Sequence, residues 1–158
     1  QRQMCIRDRY MFSRYKPDIL IIDADGVGYS MVNTIKKSIP ECIGFRGQGT
    51  IKNKTTNAKN PRAHGYLILK EFLQNGWLKI HCENAARQLE YIKVIYKAAY
   101  TIIQDKKTIR EEQGESPDYA DTLMMAAYAI DQYAYMFHKD DETSDTGRVE
   151  TDFDPFDG

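Results

Sequence analysis

The stretch Asp18-Ile19-Leu20-Ile21-Ile22-Asp23-Ala24-Asp25-Gly26-Val27-Gly28 constrains this chain more than any other. Its run of consecutive aliphatic residues reads as a strand buried on both faces of a sheet. Two carboxylates and then glycines appear where the apolar run stops, and a helical pattern follows. A strand of this kind delivers its last side chains to the carboxyl edge of an open α/β sheet, where sites form. Asp23 is therefore either a carboxylate held rigidly at an active site or an ordinary turn residue. A second acidic cluster far downstream, Ser116-Pro117-Asp118-Tyr119-Ala120-Asp121, bears on that choice.

The punctuation between these stretches predicts alternating strands and helices. The first strand runs over 18–23, a helix runs from Val27 to Lys37, and Pro40 stops it. Cys42–Phe45 makes a second strand, parallel to the first by right-handed crossover. Residues 46–60 form a long polar loop, a length that in compact domains usually signals function or mobility. Asn60 then caps a helix with Pro61 at its first position, and Asn75-Gly76 ends it. Trp77–His81 reads as an edge strand or extended arm. Asn84 caps a helix carrying Leu89, Ile92, Ile95 and Tyr96 at helical spacing. Tyr100–Gln104 reads as a strand, and Asp105 caps a short charged helix that stops at Gly114. Ser116 and Pro117 open the last helix as N-cap and first residue. Its apolar stripe is Ala120, Leu123, Met124, Ala127, Ile130, Ala134 and Phe137. Strands alternating with helices specify an α/β fold with undetermined sheet order.

One domain is expected over residues 12–137. Residues 1–11 show no period and resemble translated adapter sequence, so they are set aside as a non-native leader. From Lys139 onward eight acids face two bases, which leaves residues 1–138 with an excess of five positive charges. Residues 138–158 lack aliphatic runs and read as a disordered acidic tail, with Phe153 and Phe156 as possible anchors for another protein. No apolar run approaches the roughly 20 residues that a membrane span requires, and no membrane partner is expected. Cys5, Cys42 and Cys82 share no metal-like spacing and fit a reducing compartment. His64, His81 and His138 form no set and read as surface or internally satisfied residues.

Asp118 and Asp121 occupy neighbouring positions on the last helix. Asp121 borders the apolar stripe, where a carboxylate is costly unless paired, protonated or bound to metal. Asp118 reads equally well as a first-turn acid complementing the helix dipole. If the first turn of this helix packs near the end of the first strand, Asp23 and Asp121 meet at one edge of the sheet. Asp25 and Asp118 are then accessory acids. Clustered carboxylates without cysteine or histidine suit hard cations such as Mg²⁺ or Mn²⁺. Two such ions activate water and stabilise the leaving oxygen in phosphodiester hydrolysis.

An Ile-Asp-x-x-Gly-x-Gly strand end comes first, then Asn60-Pro61-Arg62-Ala63, Asn75-Gly76, Lys106 and Gly114. Ser116-Pro117-Asp118-Tyr119-Ala120-Asp121-Thr122-Leu123 completes the order. Over about residues 17–137 this order resembles the carboxyl-terminal nuclease domain of the terminase large subunit of tailed bacteriophages and prophages. The Ser-Pro-Asp-x-Ala-Asp-x-Leu element is the most specific part. The resemblance implies a ribonuclease H-like mixed sheet flanked by helices, with the first strand of the family's sheet missing ahead of Asp18. It implies an endonuclease that cuts concatemeric double-stranded viral DNA with two Mg²⁺ or Mn²⁺ ions. Asp23 and Asp121 match catalytic metal ligands, and Asp118 matches a position near the metals. The family's first catalytic aspartate has no counterpart here, so the isolated fragment is expected to be impaired. The implied partners are a portal protein and the small terminase subunit, and the implied setting is the cytoplasm of a bacterial host. The alternatives are a non-catalytic DNA-holding and motor-docking module, or another ribonuclease H-like nuclease such as a transposase or resolvase.

The polar loop suits DNA. Arg46, Lys52, Lys54, Lys59 and Arg62 fall in a segment with no acids, and such side chains supply sequence-independent phosphate affinity. Asn53, Thr55, Thr56 and Asn57 add hydrogen-bonding groups. The plainer reading is a solvated loop. Lys106 and Lys107 either meet phosphate or offset the carboxylates, against a plainer role on a charged helix face with Glu111 and Glu112.

Overall fold

The computed structural model describes Tyr10 and residues 13–25, 28–40, 42–51 and 54–133. The expected leader other than Tyr10, Lys52 and Asn53 of the polar loop, Ala134 and Phe137 of the last stripe, and the acidic tail lie outside the described residues. The order is β1 (Leu20–Asp23), α1 (Gly28–Lys36), β2 (Cys42–Phe45), α2 (Pro61–Gln74), α3 (Glu83–Glu90), β3 (Val94–Tyr96), β4 (Thr101–Ile103), α4 (Lys106–Gln113) and α5 (Asp118–Tyr133). This is a mixed α/β chain.

β1 and β2 pair in parallel, with Leu20 opposite Cys42 and Asp23 opposite Phe45. Val32 and Ile35 of α1, with Ile39 beyond it, bury against Ala24 and Cys42 and form one small core. β1 is only half-buried and Asp23 is exposed, unlike the strand expected to be covered on both faces. Among the described residues it has a strand neighbour on one edge only.

The strands do not join into one sheet. β3 and β4 form a separate antiparallel pair, Val94 opposite Ile103 and Tyr96 opposite Thr101. The second edge of β4 is taken by the end of the polar loop: the Thr101 amide donates to Asn57 O and the Lys59 amide to Thr101 O, both at 2.9 Å. Among the described residues β4 makes no pairing with β1. Ile95 and Tyr96, expected on a helix, lie on β3 instead. α3 begins after Cys82 rather than Asn84, and Tyr91 ends it. The β-branched run beyond it is stabilised by cross-strand pairing that helical spacing cannot reveal. Trp77–His81 forms no strand, and Trp77 is 69% exposed beside Phe72.

The main core lies between α2 and α5. Asn60 caps α2 as expected, its side-chain oxygen receiving the Ala63 amide at 2.9 Å with Pro61 at the first position. Asp105 likewise caps α4, which Gly114 ends in a left-handed conformation at φ 77°. α5 meets α2 at Gly65, where a Cβ would lie 2.9 Å from the Met124 carbonyl oxygen. Ala120, Met124, Ala127 and Tyr128 therefore face inward, and Ile130, expected on the same stripe, is turned outward. His64 is fully enclosed: Thr56 Oγ1 lies 2.8 Å from Nδ1 and Asp131 Oδ2 lies 2.7 Å from Nε2.

Candidate nucleic-acid interface and acidic centre

The end of β1, the turn after β2, and the N-termini of α2 and α4 converge on one cleft of about 230 Å³. Asp25, Gly47, Gln48, Asn60, Arg62, Ile103, Asp105 and Lys106 line it. Backbone links hold these elements together. The Ala24 amide donates to Phe45 O at 2.7 Å, continuing the β1–β2 ladder. The Gly47 amide donates to Asp25 Oδ2 at 3.0 Å, and Gly47 O receives the Arg62 amide at 3.2 Å.

Asp121 sits behind the cleft, 5% exposed in the first turn of α5. Its Oδ1 accepts from Tyr66 Oη at 2.7 Å and from Arg62 Nε at 3.2 Å. Arg62 Nη1 donates to Gln104 O at 2.8 Å, and its guanidinium carbon lies 5.3 Å from the Tyr66 ring centroid. Lys106 Nζ stands 2.7 Å from Asp121 Oδ2 but off the hydrogen-bonding direction, so this contact is ionic. Burial, then the charge and hydrogen bond of Asp121, push the Tyr66 phenol far above its ordinary range, which keeps it a donor. Asp105, exposed at the rim, is held below the usual carboxylate range by the Thr108 hydroxyl and amide.

The structure thus brings Asp25, Arg62 and Lys106 to one cleft and ties the last two to Asp121. Asp23 stands exposed at the end of β1, its Oδ1 receiving the Asp25 amide at 2.9 Å. Asp118 is exposed, accepts from Ser116 Oγ at 2.8 Å, and does not line the cleft. Arg46, Lys54 and Lys59 are exposed on the loop, with Lys59 Nζ 5.2 Å from the Tyr100 ring centroid. Arg62, grouped with them on composition, is instead buried in the Asp121 pair. Lys107 reaches Glu111, at 3.8 Å.

Sequence reading missed Tyr66 and Gln88. Tyr66 follows Arg62 by one helical turn, a spacing that places both on one face. Gln88 gives no such signal. Its Oε1 accepts from the Tyr119 amide at 2.8 Å and the Ala120 amide at 3.3 Å, capping α5 from outside. Ser116 was expected in that role, but its hydroxyl turns to Asp118.

Whether a hard cation fits turns on Asp121 Oδ2, which is buried, makes no hydrogen bond and lies 2.7 Å from Lys106 Nζ. A buried carboxylate oxygen facing only a partly exposed ammonium suits an oxygen-seeking cation. Among the described residues no group of three or more acidic, histidine or cysteine side chains is assembled to hold a metal ion. The fit is therefore that of one carboxylate arm.

The chain matches no protein-family model, no curated protein and no solved structure. Among the described residues no helix is long and apolar enough to cross a membrane.

Proposed function

We propose that this chain is the nuclease domain of a phage DNA-packaging terminase, ribonuclease H-like in fold, which cuts double-stranded DNA with divalent metal ions. What carries the reading is one juxtaposition: Asp25, just beyond β1, lines a cleft with Arg62 and Lys106, and both of those cations pair with Asp121 in the first turn of α5. The motif order in the sequence supports it independently.

In this reading the residues divide the work. Arg62 and Tyr66 fix Asp121 Oδ1, and Oδ2 meets a cation, the Lys106 ammonium, at 2.7 Å. Asp121 would give Mg²⁺ or Mn²⁺ one carboxylate arm, and Asp23 at the end of β1 is the second ligand that the motif resemblance implies; the ion when bound acidifies water and stabilises a leaving oxygen. Arg46, Lys54 and Lys59 are exposed where phosphates can meet them. The same proposal takes the portal protein and small terminase subunit as partners, in the bacterial host cytoplasm. A second reading, a DNA-holding module without catalysis, is favoured by the contact of Lys106 with Asp121, which closes the carboxylate in an internal ion pair.

Plasmid nicking in Mn²⁺ and in Mg²⁺, alongside duplex binding by fluorescence anisotropy, separates the two. Nicking that disappears in Asp121→Asn and in Asp23→Asn, with folding verified by circular dichroism, supports the nuclease. Duplex binding without nicking supports the holding module. A chain that neither nicks nor binds DNA overturns both.

A further inference from the structure

We propose that His64 is a positioning residue for phosphate binding. With Asp131 behind it, it holds Thr56 in place, so that Lys54 and Lys59 meet the backbone of a DNA duplex from a fixed stretch of chain. The inference deepens the DNA reading above and rests on it for the identity of the partner. His64, on α2, is wholly enclosed, yet both ring nitrogens are engaged. An ionised carboxylate only accepts, so Nε2 is the nitrogen that donates, to Asp131 Oδ2 at 2.7 Å. The Gln132 side-chain amide donates to the same oxygen at 2.7 Å and holds it. In the neutral ring this leaves Nδ1 as the acceptor, and the Thr56 hydroxyl donates to it at 2.8 Å. Thr56 Oγ1 in turn accepts the Ala58 amide at 3.2 Å. A continuous relay therefore runs from the loop backbone through α2 to α5.

A buried imidazole is a costly way to fill space between two helices, because each polar atom taken from water must find a partner. What it adds over an apolar side chain is a grip on the loop. The same loop is held a second time just beyond Thr56. The Thr101 amide donates to Asn57 O at 2.9 Å and the Thr101 hydroxyl to Asn57 Oδ1 at 2.8 Å. The Lys59 amide donates to Thr101 O at 2.9 Å. Residues 56–59 are thus pinned from α2 on one side and β4 on the other, and Ala58 within them is fully buried. The Thr56 hydroxyl, which composition placed among the phosphate contacts, turns inward instead. Lys54 and Lys59, near the two ends of the pinned stretch, stay exposed in a segment without acids. Lysines carried on ordered backbone lose less freedom on meeting phosphates, so the relay raises affinity without touching the ligand.

The test is duplex binding by fluorescence anisotropy across a range of salt. Thr56→Val keeps the shape and removes the hydroxyl. It should weaken binding roughly five- to tenfold, the entropy of ordering a residue or two. Thr56→Ser, which keeps the hydroxyl, should restore most of the affinity. His64→Gln, whose amide nitrogen can still donate to Asp131 while the acceptor for Thr56 is gone, should match Thr56→Val. In a chain already carrying Lys54→Ala and Lys59→Ala, Thr56→Val should bring no further loss, because the relay works through those two side chains. A change that merely loosened the fold would lose affinity in both backgrounds. Wild-type affinity in Thr56→Val, a Thr56→Ser as weak as Thr56→Val, or an equal loss with and without the two lysines overturns the positioning role and leaves the DNA reading standing. A wild-type chain that binds no duplex sinks the DNA reading and this role with it.

Discussion

Gln88 Oε1 lies 2.8 Å from the Tyr119 amide, so a side chain on α3 caps the helix that carries Asp121. Gln88 Nε2 also donates to Ser116 O at 3.2 Å, which fixes the orientation of the side chain. Gln88 is 3% exposed, and removing it leaves amides of the first turn of α5 without an acceptor. Gln88→Ala should cost about 1–2 kcal/mol, as loss of a helix cap does. Urea unfolding would register it as a lower midpoint with an unchanged slope. A midpoint within error of wild type would contradict the capping role.

Gly65→Ala should destabilise even though alanine is the better helix former. The added methyl would meet Met124 Sδ at 2.7 Å and the Met124 carbonyl oxygen at 2.9 Å. The sulfur can rotate away, but the backbone oxygen cannot. Overpacking of this kind costs about 1–3 kcal/mol, against a propensity gain of about 1 kcal/mol. The sign of the shift in the thermal midpoint decides between the two effects, and a fall is expected.

The Arg62–Asp121 pair should respond asymmetrically to truncation. Asp121→Ala strands a buried guanidinium that keeps the Gln104 carbonyl and the Tyr66 ring but no counter-charge, a loss of about 3–5 kcal/mol. Arg62→Met should cost less, because Asp121 retains Tyr66 and Lys106. Equal losses in chemical denaturation would mean that Lys106 does not neutralise the carboxylate.

Alkaline pH should weaken the fold from about pH 10 upward. Tyr66 is pushed far up by burial and then by Asp121, and Tyr128 is pushed up to about 12, first by burial. A phenol whose folded pKa is raised contributes stability below its unfolded pKa, near 10, and loses it as pH climbs toward the folded value. The unfolded chain then binds fewer protons than the folded one, so stability falls. Tyr66→Phe should flatten this fall by up to about 1.4 kcal/mol per pH unit. Stability measured by urea unfolding between pH 8 and 11 checks it.

The local devices were legible because they are written in neighbouring residues. Asn60-Pro61, Asp105 with Gly114, and the apolar run ahead of Asp23 each fixed a boundary through short-range hydrogen bonds or backbone preference. The Ile95–Tyr96 segment was misread because one short β-branched run fits both periods, and only its partners Thr101 and Ile102 decide between them. Arg62 was grouped with the loop cations since sequence carries no burial.

The sequence by itself therefore determined where α2 and α4 begin and end, and that acids stand at the end of β1 and the start of α5. Tertiary structure alone decided that Arg62, Tyr66 and Lys106 gather on Asp121, and that Gln88 rather than Ser116 caps its helix. The physical reason is distance along the chain. A cap or turn closes within a few residues, whereas a buried carboxylate takes its partners from whichever helices pack around it.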